Sequence, residues 1–590
     1  MKELKYLNTY FFKYRFRLLL GVVITITAKI FALFTPHFIG ESINIISNRL
    51  DNQISAEVFK TELGLNIFYL IGAALLGGAF TFLMRQTIIN VSRYVEFDLK
   101  NEIYEHYQRL SLNFYKNNST GDLMSRISED VSKVRMYFGP AIMYTLNMIT
   151  LFVIAFVSMY KTAPSLTLYT IIPLPILSIF IYFLSKAIHQ RSTLVQEYLS
   201  KLSTFTQEAF SGILVIKSYS IESQTHLAFQ HLAQDQRQKH IDLTKIQAFF
   251  FPLMILLIGT SNLLVIYVGG MQYINGQIEN IGTIAEFIIY VNMLTWPVVS
   301  IGWVTSLVQE AEASQSRINA FLSEEPEIKN TCKKAHSISG SIEFKNVSFT
   351  FKNTNITALN TLSFKVNTGE TLAILGKTGS GKSTVLDLIA RLYDVDDGDI
   401  LIDDKPIKTI HLKSLRTHMG YVPQDAFLFS DSIKNNIKFG AIETSDNDVI
   451  NAAKNAAVHE NIIQFNNGYN TVLGERGITL SGGQKQRVSI ARAIVKDPKI
   501  LLLDDCLSAV DTETEERILN NLKAISKGKT TLIVSHRISS TKHADRIIVI
   551  DKGTIVQEGT HKELTQQEGY YKELYIKQLY ESRTHKNTKI

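Results

Sequence analysis

The chain has 590 residues, more than one ordinary domain needs, with a net charge of +7 at pH 7 and only two cysteines. Cys332 and Cys506 cannot form a disulfide framework, and their spacing is not typical of a metal site. No nucleic-acid partner is predicted, because the basic residues do not cluster with aromatic residues on one face. Hydrophobic residues make up 46% of the sequence, and their positions are more informative than their average.

Six apolar runs occupy the first half of the chain, and each is long enough to cross a bilayer as a helix of about 20 residues. The first is broken only by Lys29, and the other five contain no Lys, Arg, Asp or Glu. The runs are 18–40, 63–84, 139–160, 162–185, 246–278 and 287–309. No comparable run follows. We therefore predict a six-span α-helical membrane domain over residues 1–322.

The distribution of Lys and Arg predicts the orientation of these spans. Basic residues are frequent between the second and third runs, whereas the loop 269–280 has none. An excess of Lys and Arg marks cytoplasmic loops, so both termini are expected in the cytoplasm and the protein in the cytoplasmic membrane. The polar stretches 85–138 and 186–245 have helical spacing and no proline, which predicts helices that continue into the cytoplasm.

A linker at 323–340, with Pro326, separates this domain from a soluble domain at 341–590. The alternation from Ile342 to Phe351 predicts its first strand. The motif G-x-x-x-x-G-K-[ST] follows between an apolar run and a helical pattern, which predicts an α/β P-loop domain that binds ATP and Mg²⁺. The loop residues are Gly376, Lys377, Thr378, Gly379, Ser380, Gly381, Lys382, Ser383 and Thr384.

Each part of the P-loop has a chemical reason. Glycines let the backbone approach phosphate oxygens, and the N–H groups at the helix start act as donors. Lys382 is expected to reach the β- and γ-phosphates and Ser383 to bind Mg²⁺. The apolar run starting at Ile500 ends in Asp504, which is placed to hold the magnesium through water, and Asp505 follows it.

From Leu480 to Ile494 the chain reads LSGGQKQRVSIARAI. Together with the P-loop, this stretch closely resembles the ATP-binding cassette (ABC) family, whose signature is LSGGQ. The signature residues Ser481, Gly482, Gly483 and Gln484 begin a predicted helix, which is a second place for an anion. The resemblance implies a head-to-tail dimer, in which the P-loop of one domain faces the signature of the other with ATP between them.

Other residues take roles that the resemblance implies. Phe351 stacks on adenine, Gln424 senses the γ-phosphate and binds the metal, and His536 contacts the γ-phosphate. Asp511 lies in a loop that passes between the two cassettes, and the loop 474–477 faces the membrane domain. In the membrane half, 119–131 resembles a helix that contacts the cassette, and a second such helix is expected within 208–218. The whole chain resembles an exporter half-transporter, which needs a second half as partner.

Asp505 departs from the family, which usually has Glu at this position. Its carboxylate is one C–C bond shorter, and a misplacement of about 1 Å can cost on the order of 10²-fold in rate. We therefore expect the chain's own site to bind ATP well and hydrolyse it poorly. That combination resembles the degenerate subunit of a heterodimeric exporter. The alternative is a homodimer with slow but adequate hydrolysis, which the presence of His536 favours.

The expected function is ATP-driven export of amphiphilic small molecules, drugs or lipids. An ATP-gated regulatory subunit is the alternative of a different class. A soluble cassette protein is excluded by the spans, and the fusion of spans and cassette disfavours an importer. Lys29 lies about 18 Å along the helix from Arg17, near mid-bilayer, where an ammonium costs about 2.5–3.5 kcal/mol. We expect Lys29 to line the transport path and to favour anionic or zwitterionic amphiphiles, with Glu286 or a partner acid as counter-charge. For Glu286 itself, the favoured interpretation is an interfacial carboxylate in water.

Overall fold

The computed structural model describes residues 2–587 except 52, 331, 333, 442, 475, 476 and 509. Of the predicted loop 474–477, Glu475 and Arg476 therefore lie outside the described residues. The chain divides into two compact units. The first comprises Met1–Gln108 and Ser119–Glu324, and the second comprises Arg109–Asn118 and Glu325–Ile590. A short segment from the first half of the sequence thus belongs, by its contacts, to the second unit.

The first unit is built from helices, including long ones in the regions of the apolar runs. Its α-helices are Asn8–Lys13, Arg15–Leu50, Ala56–Arg109, Thr120–Ser125, Val131–Met136, Ile142–Thr162, Pro164–Ile171, Pro173–Ser211, Ile213–Tyr219, Glu222–Ala248, Phe250–Ile274 and Gly282–Leu322. Two π-helical segments, Arg126–Asp130 and Tyr137–Ala141, join the helices on either side of them. The helix Ala56–Arg109 has 54 residues, about 80 Å at 1.5 Å per residue, and a hydrocarbon core is only about 30 Å thick. The predicted extension of the spans beyond the membrane is confirmed for this helix.

Among the described residues, five helices are long and apolar enough to cross a membrane. They are Arg15–Leu50, Ala56–Arg109, Thr120–Thr162, Glu222–Ile274 and Gly282–Leu322. The predicted crossing at 162–185 instead falls on two helices, Pro164–Ile171 and Pro173–Ser211. Proline lacks the N–H that a continuous helix requires, which accounts for the boundary before Pro173. The count of six spans stays a prediction.

The helices Arg15–Leu50 and Ala56–Arg109 pack against each other and run antiparallel. Phe31 stacks on Phe80 with ring centroids 5.6 Å apart. A Cβ added to Gly21 would lie 2.8 Å from the side chain of Ile88. The numbers of contacting residues therefore add up to about 110, so Lys29 lies level with about residue 81 of the second helix.

The second unit contains two sheets. The strands are β1 Ile342–Phe351, β2 Ile356–Val366, β3 Thr371–Gly376, β4 Asp397–Ile402, β5 Lys405–Pro406, β6 Met419–Val422, β7 Ile500–Asp504, β8 Thr530–Val534, β9 Arg546–Asp551 and β10 Thr554–Gly559. The strand predicted from Ile342 to Phe351 is confirmed. One antiparallel sheet has the order β2-β1-β4-β5, and the other has the order β10-β9-β3-β8-β7-β6.

The six-stranded sheet is parallel from β9 to β6, with β10 antiparallel at its edge. Every residue of β7 and β8 is buried, which fits a parallel sheet covered on both faces. The α-helices of the second unit are Leu112–Asn117, Lys382–Ile389, Leu412–Thr417, Ile433–Lys438, Asp446–Asn455, His459–Ile463, Gly482–Ile494, Thr512–Ile525, Ile538–Thr541, His561–Gln566 and Tyr570–Asn587. The predicted fold class, a helical membrane domain fused to an α/β domain, is confirmed.

Candidate functional site

The candidate site lies at the carboxyl edge of the parallel sheet. β3 ends at Gly376, β7 at Asp504 and β8 at Val534, and β8 lies between the other two. Asp504 pairs with Val534 in the register. Because the carboxyl ends of parallel strands meet at one edge, the P-loop, the acid pair and His536 are brought together.

Two loop positions accept only glycine. Gly376 has φ +155°, and an added Cβ would lie 2.1 Å from the carbonyl oxygen of Ile550. Gly381 has φ +98°, and its Cβ would lie 2.2 Å from the carbonyl oxygen of Ala358. The helix Lys382–Ile389 begins directly after Gly381, and no side chain caps it. Its first N–H groups therefore remain available to an anion.

Lys382 closes the loop upon itself. Its Nζ donates to the carbonyl oxygens of Gly376 at 3.0 Å and Lys377 at 2.8 Å. The side chain is buried, and this burial lowers the pKa of Lys382, although Asp505 and Asp504 act in the opposite direction. Among the described residues, this buried ammonium bonds only loop carbonyls, and it is placed to meet an incoming phosphate.

Ser383 and Asp504 meet across the cleft. The Ser383 hydroxyl donates to Asp504 Oδ1 at 3.0 Å. Burial, with smaller contributions from Asp387 and Asp505, raises the pKa of Asp504 to about 6. A hydroxyl and a carboxylate are ligand types that Mg²⁺ takes alongside nucleotide phosphates, and a nearby cation favours the charged carboxylate. The residues present therefore fit the metal that the sequence predicts.

Asp505 is held in an unusual conformation next to this pair. Its φ is +41°, in the left-handed region that Asp tolerates better than most residues. Its backbone N–H donates to the carbonyl oxygen of Val534 at 2.9 Å. The residue is only 8% exposed, yet its Oδ1 atom has no hydrogen-bond partner in the described part of the chain. The carboxylate is thus buried at the cleft, and its Oδ1 is an acceptor without a hydrogen-bond partner among the described residues.

The cleft collects most of the sequence-predicted residues. Its lining is Phe351, Ile356, Ala358, Thr378, Gly379, Gly381, Lys382, Ser383, Thr384, Gln424, Asp504, Asp505, Val534 and His536. This lining does not include three other residues of the loop, Gly376, Lys377 and Ser380. The Ser380 Oγ is buried without a partner among the described residues. Three lining residues were not predicted from the sequence, because apolar residues in strands look like ordinary core: Ile356, Ala358 and Val534.

Phe351 also contacts residues that do not line the cleft. It packs edge-on against Tyr393, with centroids 5.7 Å apart. Lys116 Nζ lies 5.5 Å from the centroid of the Phe351 ring and 5.2 Å from that of Tyr393. Such cation–π contacts contribute about 0.5–1 kcal/mol at exposed sites. The predicted adenine platform thus touches a residue from the first half of the sequence.

Lys116 belongs to the short helix Leu112–Asn117. Asn353, two residues after Phe351, donates to Asn113 Oδ1 at 3.1 Å and to Asn117 Oδ1 at 2.5 Å. This contact lies upstream of 119–131, the stretch expected to make it. A run of Asn and Lys gives no periodic signal, so this contact was not predicted. The expectation for 119–131 stays a prediction.

The signature residues form a separate feature. Ser481 Oγ accepts from the N–H of Gln484 at 3.3 Å, and Gln484 Oε1 accepts from the N–H of Ser481 at 3.0 Å. This capping box begins the helix Gly482–Ile494. As far as the described residues show, Ser481, Gly482, Gly483 and Gln484 do not line the P-loop cleft. One link joins the two features, because Gln486 Nε2 donates to the carbonyl oxygen of Gln424 at 3.2 Å.

The loop after the acid pair is fixed to the segment that holds His536. Arg537 donates to the carbonyl oxygen of Ser508 at 2.9 Å and to the buried carboxylate of Glu515 at 3.0 Å. Asp511 caps the next helix by accepting from the N–H of Thr514 at 2.9 Å. Burial and the charge of Lys382 lower the pKa of His536, which favours the neutral imidazole. Arg537 and Glu515 were not foreseen, since no local motif marks their pairing.

Comparison with known proteins agrees with this architecture. Residues 18–298 match the ABC transporter transmembrane region family, and residues 359–508 match the ABC transporter family. The chain is 35% identical over 577 residues to the probable multidrug resistance ABC transporter ATP-binding/permease protein YheI of Bacillus subtilis, covering 98% of this chain and 97% of that protein. It is 40% identical over 479 residues to the uncharacterized ABC transporter ATP-binding protein YknU of the same organism, covering 81% and 82%.

A solved structure extends the comparison to three dimensions. The structure of a bacterial Atm1-family ABC exporter with ATP bound superposes with a TM-score of 0.79 at 25% identity, over 96% of this chain and 99% of that chain. The membrane helices and the P-loop domain are both included at that coverage. The chain therefore belongs to the ABC transporter family, as an integral membrane half-transporter in which a membrane domain is fused to an ATPase domain coupled to transport.

Proposed function

We propose that this chain is one subunit of a heterodimeric exporter of amphiphilic small molecules, drugs or lipids. The relative YheI is named a probable multidrug resistance ABC transporter protein, and the similar solved structure is that of an ABC exporter with ATP bound. Two further parts of the proposal depend on Asp505. They are that this chain's own ATP site is degenerate and that the partner is a different subunit. Asp505 is the observation that carries the proposal.

Asp505 places its carboxylate short of where a Glu would reach. The residue is buried, and its Oδ1 has no partner in the described structure, so it could accept a proton from water. Its backbone is tied to Val534 and Ser508, which prevents the strand end from moving forward to compensate. A rate loss on the order of 10²-fold follows from a misplacement of about 1 Å. Binding should survive, because other residues perform it.

The binding roles are assigned to the residues of the cleft. Phe351 stacks on adenine, Lys382 and the loop N–H groups hold the phosphates, and Ser383, Gln424 and Asp504 hold Mg²⁺. The metal neutralises charge on the phosphates when it is bound. His536 and Gln424 contact the γ-phosphate. The loop residues Gly376, Lys377, Thr378, Gly379, Ser380, Gly381 and Thr384 complete the cradle.

The signature of this chain serves a second chain. Ser481, Gly482, Gly483 and Gln484 begin a helix outside the chain's own cleft, so a phosphate at that helix must come from another cassette. In the proposed heterodimer, the partner supplies a Glu beside its own P-loop. This chain's signature then completes the partner's hydrolytic site.

A homodimer with slow hydrolysis is the second candidate. The presence of His536 supports it, because His536 lines the same cleft as Asp505 and is expected, together with Gln424, at the γ-phosphate. In that case both sites would be equal and both would turn over slowly. A regulatory subunit that binds ATP without useful turnover is a third form, and vanadate-sensitive ATPase in the assembled dimer would exclude it.

The proposed location is the cytoplasmic membrane, with both termini in the cytoplasm. The basic residues between the second and third apolar runs support this orientation. The proposed domains are a membrane domain at 1–322, a linker at 323–340 and the cassette at 341–590. The helix Gly282–Leu322 ends at the first boundary, and β1 begins at Ile342.

Affinity purification of the full chain from its native membrane tests the proposal directly. A second ABC subunit with Glu after its strand-end Asp, in equal amount, is the expected result. Recovery of this chain alone as a dimer with vanadate-sensitive ATPase would support the homodimer instead.

A further inference from the structure

A cavity of about 300 Å³ lies within the first unit, between helices of the predicted spans. Its wall is rich in methionine and aromatic side chains, and two cations, Lys29 and Arg85, also line it. Methionine is polarisable and adapts its shape, so such a wall accepts varied apolar groups. A cation in this setting is costly unless an anion accompanies it.

Among the residues that the structure describes, no carboxylate lines the cavity beside these two cations. The acid expected to pair with Lys29 is engaged elsewhere: Glu286 accepts from the Tyr290 hydroxyl at 2.8 Å and lies 3.9 Å from His37. Glu286 is 6% exposed, so it is not an interfacial carboxylate in water either. Both expectations for Glu286 were wrong, and Lys29 has no ion-pair partner among the described residues.

The two cations lie at different depths. Lys29 lies level with about residue 81 of the neighbouring antiparallel helix, as the Phe31–Phe80 stack and the Gly21–Ile88 contact show. Arg85 is about four residues further along that helix, or about 6 Å at 1.5 Å per residue. The apolar run 63–84 ends just before Arg85. Lys29 is therefore inside the apolar layer, and Arg85 is at its edge.

A polar atom without a partner lies in the same lining. Asn147 donates to Met84 Sδ at 3.4 Å, while its buried Oδ1 has no hydrogen-bond partner in the part of the chain that the structure describes. An unsatisfied buried acceptor is unusual in a native structure and is often explained by a ligand or water. The Asn147 Oδ1 is an acceptor and so calls for a donor, such as a water or a cation of this lining. The features that favour an anion are the two cations, and the methionine wall favours an apolar body.

We propose that this cavity binds an anionic amphiphile. Its sulfonate, carboxylate or phosphate group lies between Lys29 and Arg85, and its apolar body contacts the methionines and Trp296. The proposal names a substrate class for the proposed export function and rests on that function. Neutral and cationic amphiphiles with the same apolar body lack the contact to the two cations and bind less tightly.

The chain carries its own reporter of this cavity. It has two tryptophans: Trp296 lines the cavity, and Trp303 packs on Tyr144, another lining residue, with ring centroids 5.2 Å apart. Tryptophan fluorescence of the full-length protein in phosphatidylcholine nanodiscs, without nucleotide, is therefore titrated with two probes. These are 1-anilinonaphthalene-8-sulfonate and N-phenyl-1-naphthylamine, which share the apolar body and differ in the sulfonate.

The sulfonate should bind more tightly than the neutral probe. Lys29→Met and Arg85→Met should each weaken sulfonate binding by about tenfold, as expected for one lost charge-assisted hydrogen bond, and should leave the neutral probe unchanged. Lys29→Arg should restore the sulfonate affinity. Lys161→Met removes an exposed lysine outside this lining and should change neither affinity.

Two results would overturn the proposal. The first is an unchanged sulfonate affinity in Lys29→Met, and the second is an equal loss for both probes in a variant that still photolabels with ATP. Adding phosphatidylglycerol separates the sources of the anion. If phosphatidylglycerol competes with the sulfonate probe and Lys29→Met abolishes this competition, the site binds a lipid headgroup. If phosphatidylglycerol does not compete, the site binds soluble anionic amphiphiles. Because no ATP turnover is measured, failure of the export function would leave these affinities unchanged.

Discussion

The cassette has two places suited to phosphate, and they are built differently. The P-loop cleft draws residues from several strands and loops, among them Phe351, Lys382, Asp504 and His536. The signature is the start of one helix, whose polar atoms at Ser481 and Gln484 satisfy each other in a capping box. The P-loop cleft supplies nearly all the groups that a phosphate site needs, whereas the signature supplies one side of such a site.

This difference shows which parts of the mechanism one chain can contain. The P-loop cleft should bind ATP with the residues of this chain alone. In the proposed dimer, the signature acts on a nucleotide held by the other cassette. The following predictions test this division, beginning with the largest expected effect.

Lys382→Ala should abolish ATP binding at the chain's own cleft. The ammonium is buried and bonds the loop carbonyls of Gly376 and Lys377. Its removal takes away charge-assisted contacts to phosphate, a loss of at least about 100-fold in affinity. Nucleotide photolabelling of the purified chain measures this. Lys527→Ala, which removes an exposed lysine, is the control. Unchanged labelling of the Lys382 variant would refute the P-loop assignment.

Gly381→Ala and Gly482→Ala compare the two places with the same added methyl group. At Gly381 the methyl meets a carbonyl oxygen at 2.2 Å with φ +98°, so ATP binding should be lost and the cassette should be destabilised by more than about 1 kcal/mol. At Gly482 nothing lies within 4 Å, so thermal stability and photolabelling of this chain should be unchanged. Only the ATPase of the assembled dimer should fall. Loss of this chain's own ATP binding in Gly482→Ala would mean that the signature serves its own cleft.

The P-loop cleft was largely predictable from sequence because its parts are local. A strand, a glycine-rich loop and a helix start are contiguous, and Asp504 ends a buried apolar run. Partners distant in sequence were not predictable: Gln486 with Gln424, Arg537 with Glu515, and Lys116 with Phe351 depend on tertiary packing. In the membrane unit, hydropathy predicted the long spans, but it could not show the helix boundary before Pro173 or the distance between Lys29 and any acid.

Asp505→Glu should raise turnover at the chain's own cleft by about 10- to 100-fold, because the longer side chain restores the reach of the carboxylate. Single-turnover hydrolysis, with the partner's P-loop Lys replaced by Ala, isolates this site. Asp399→Glu makes the same change at an exposed strand position and serves as control. A rate that does not rise would show that the length of this side chain does not limit hydrolysis.

The steady-state ATPase of the assembled dimer, with the partner unchanged, tests the central claim most directly. Two variants of this chain are compared, Asp505→Ala and Ser481→Arg. If hydrolysis occurs at the partner's P-loop, the Asp505→Ala dimer should keep most of its ATPase activity. The Ser481→Arg dimer should lose most of it, because the arginine side chain fills the place of the γ-phosphate bound by the partner. Loss of all activity in Asp505→Ala with full activity in Ser481→Arg would contradict the account.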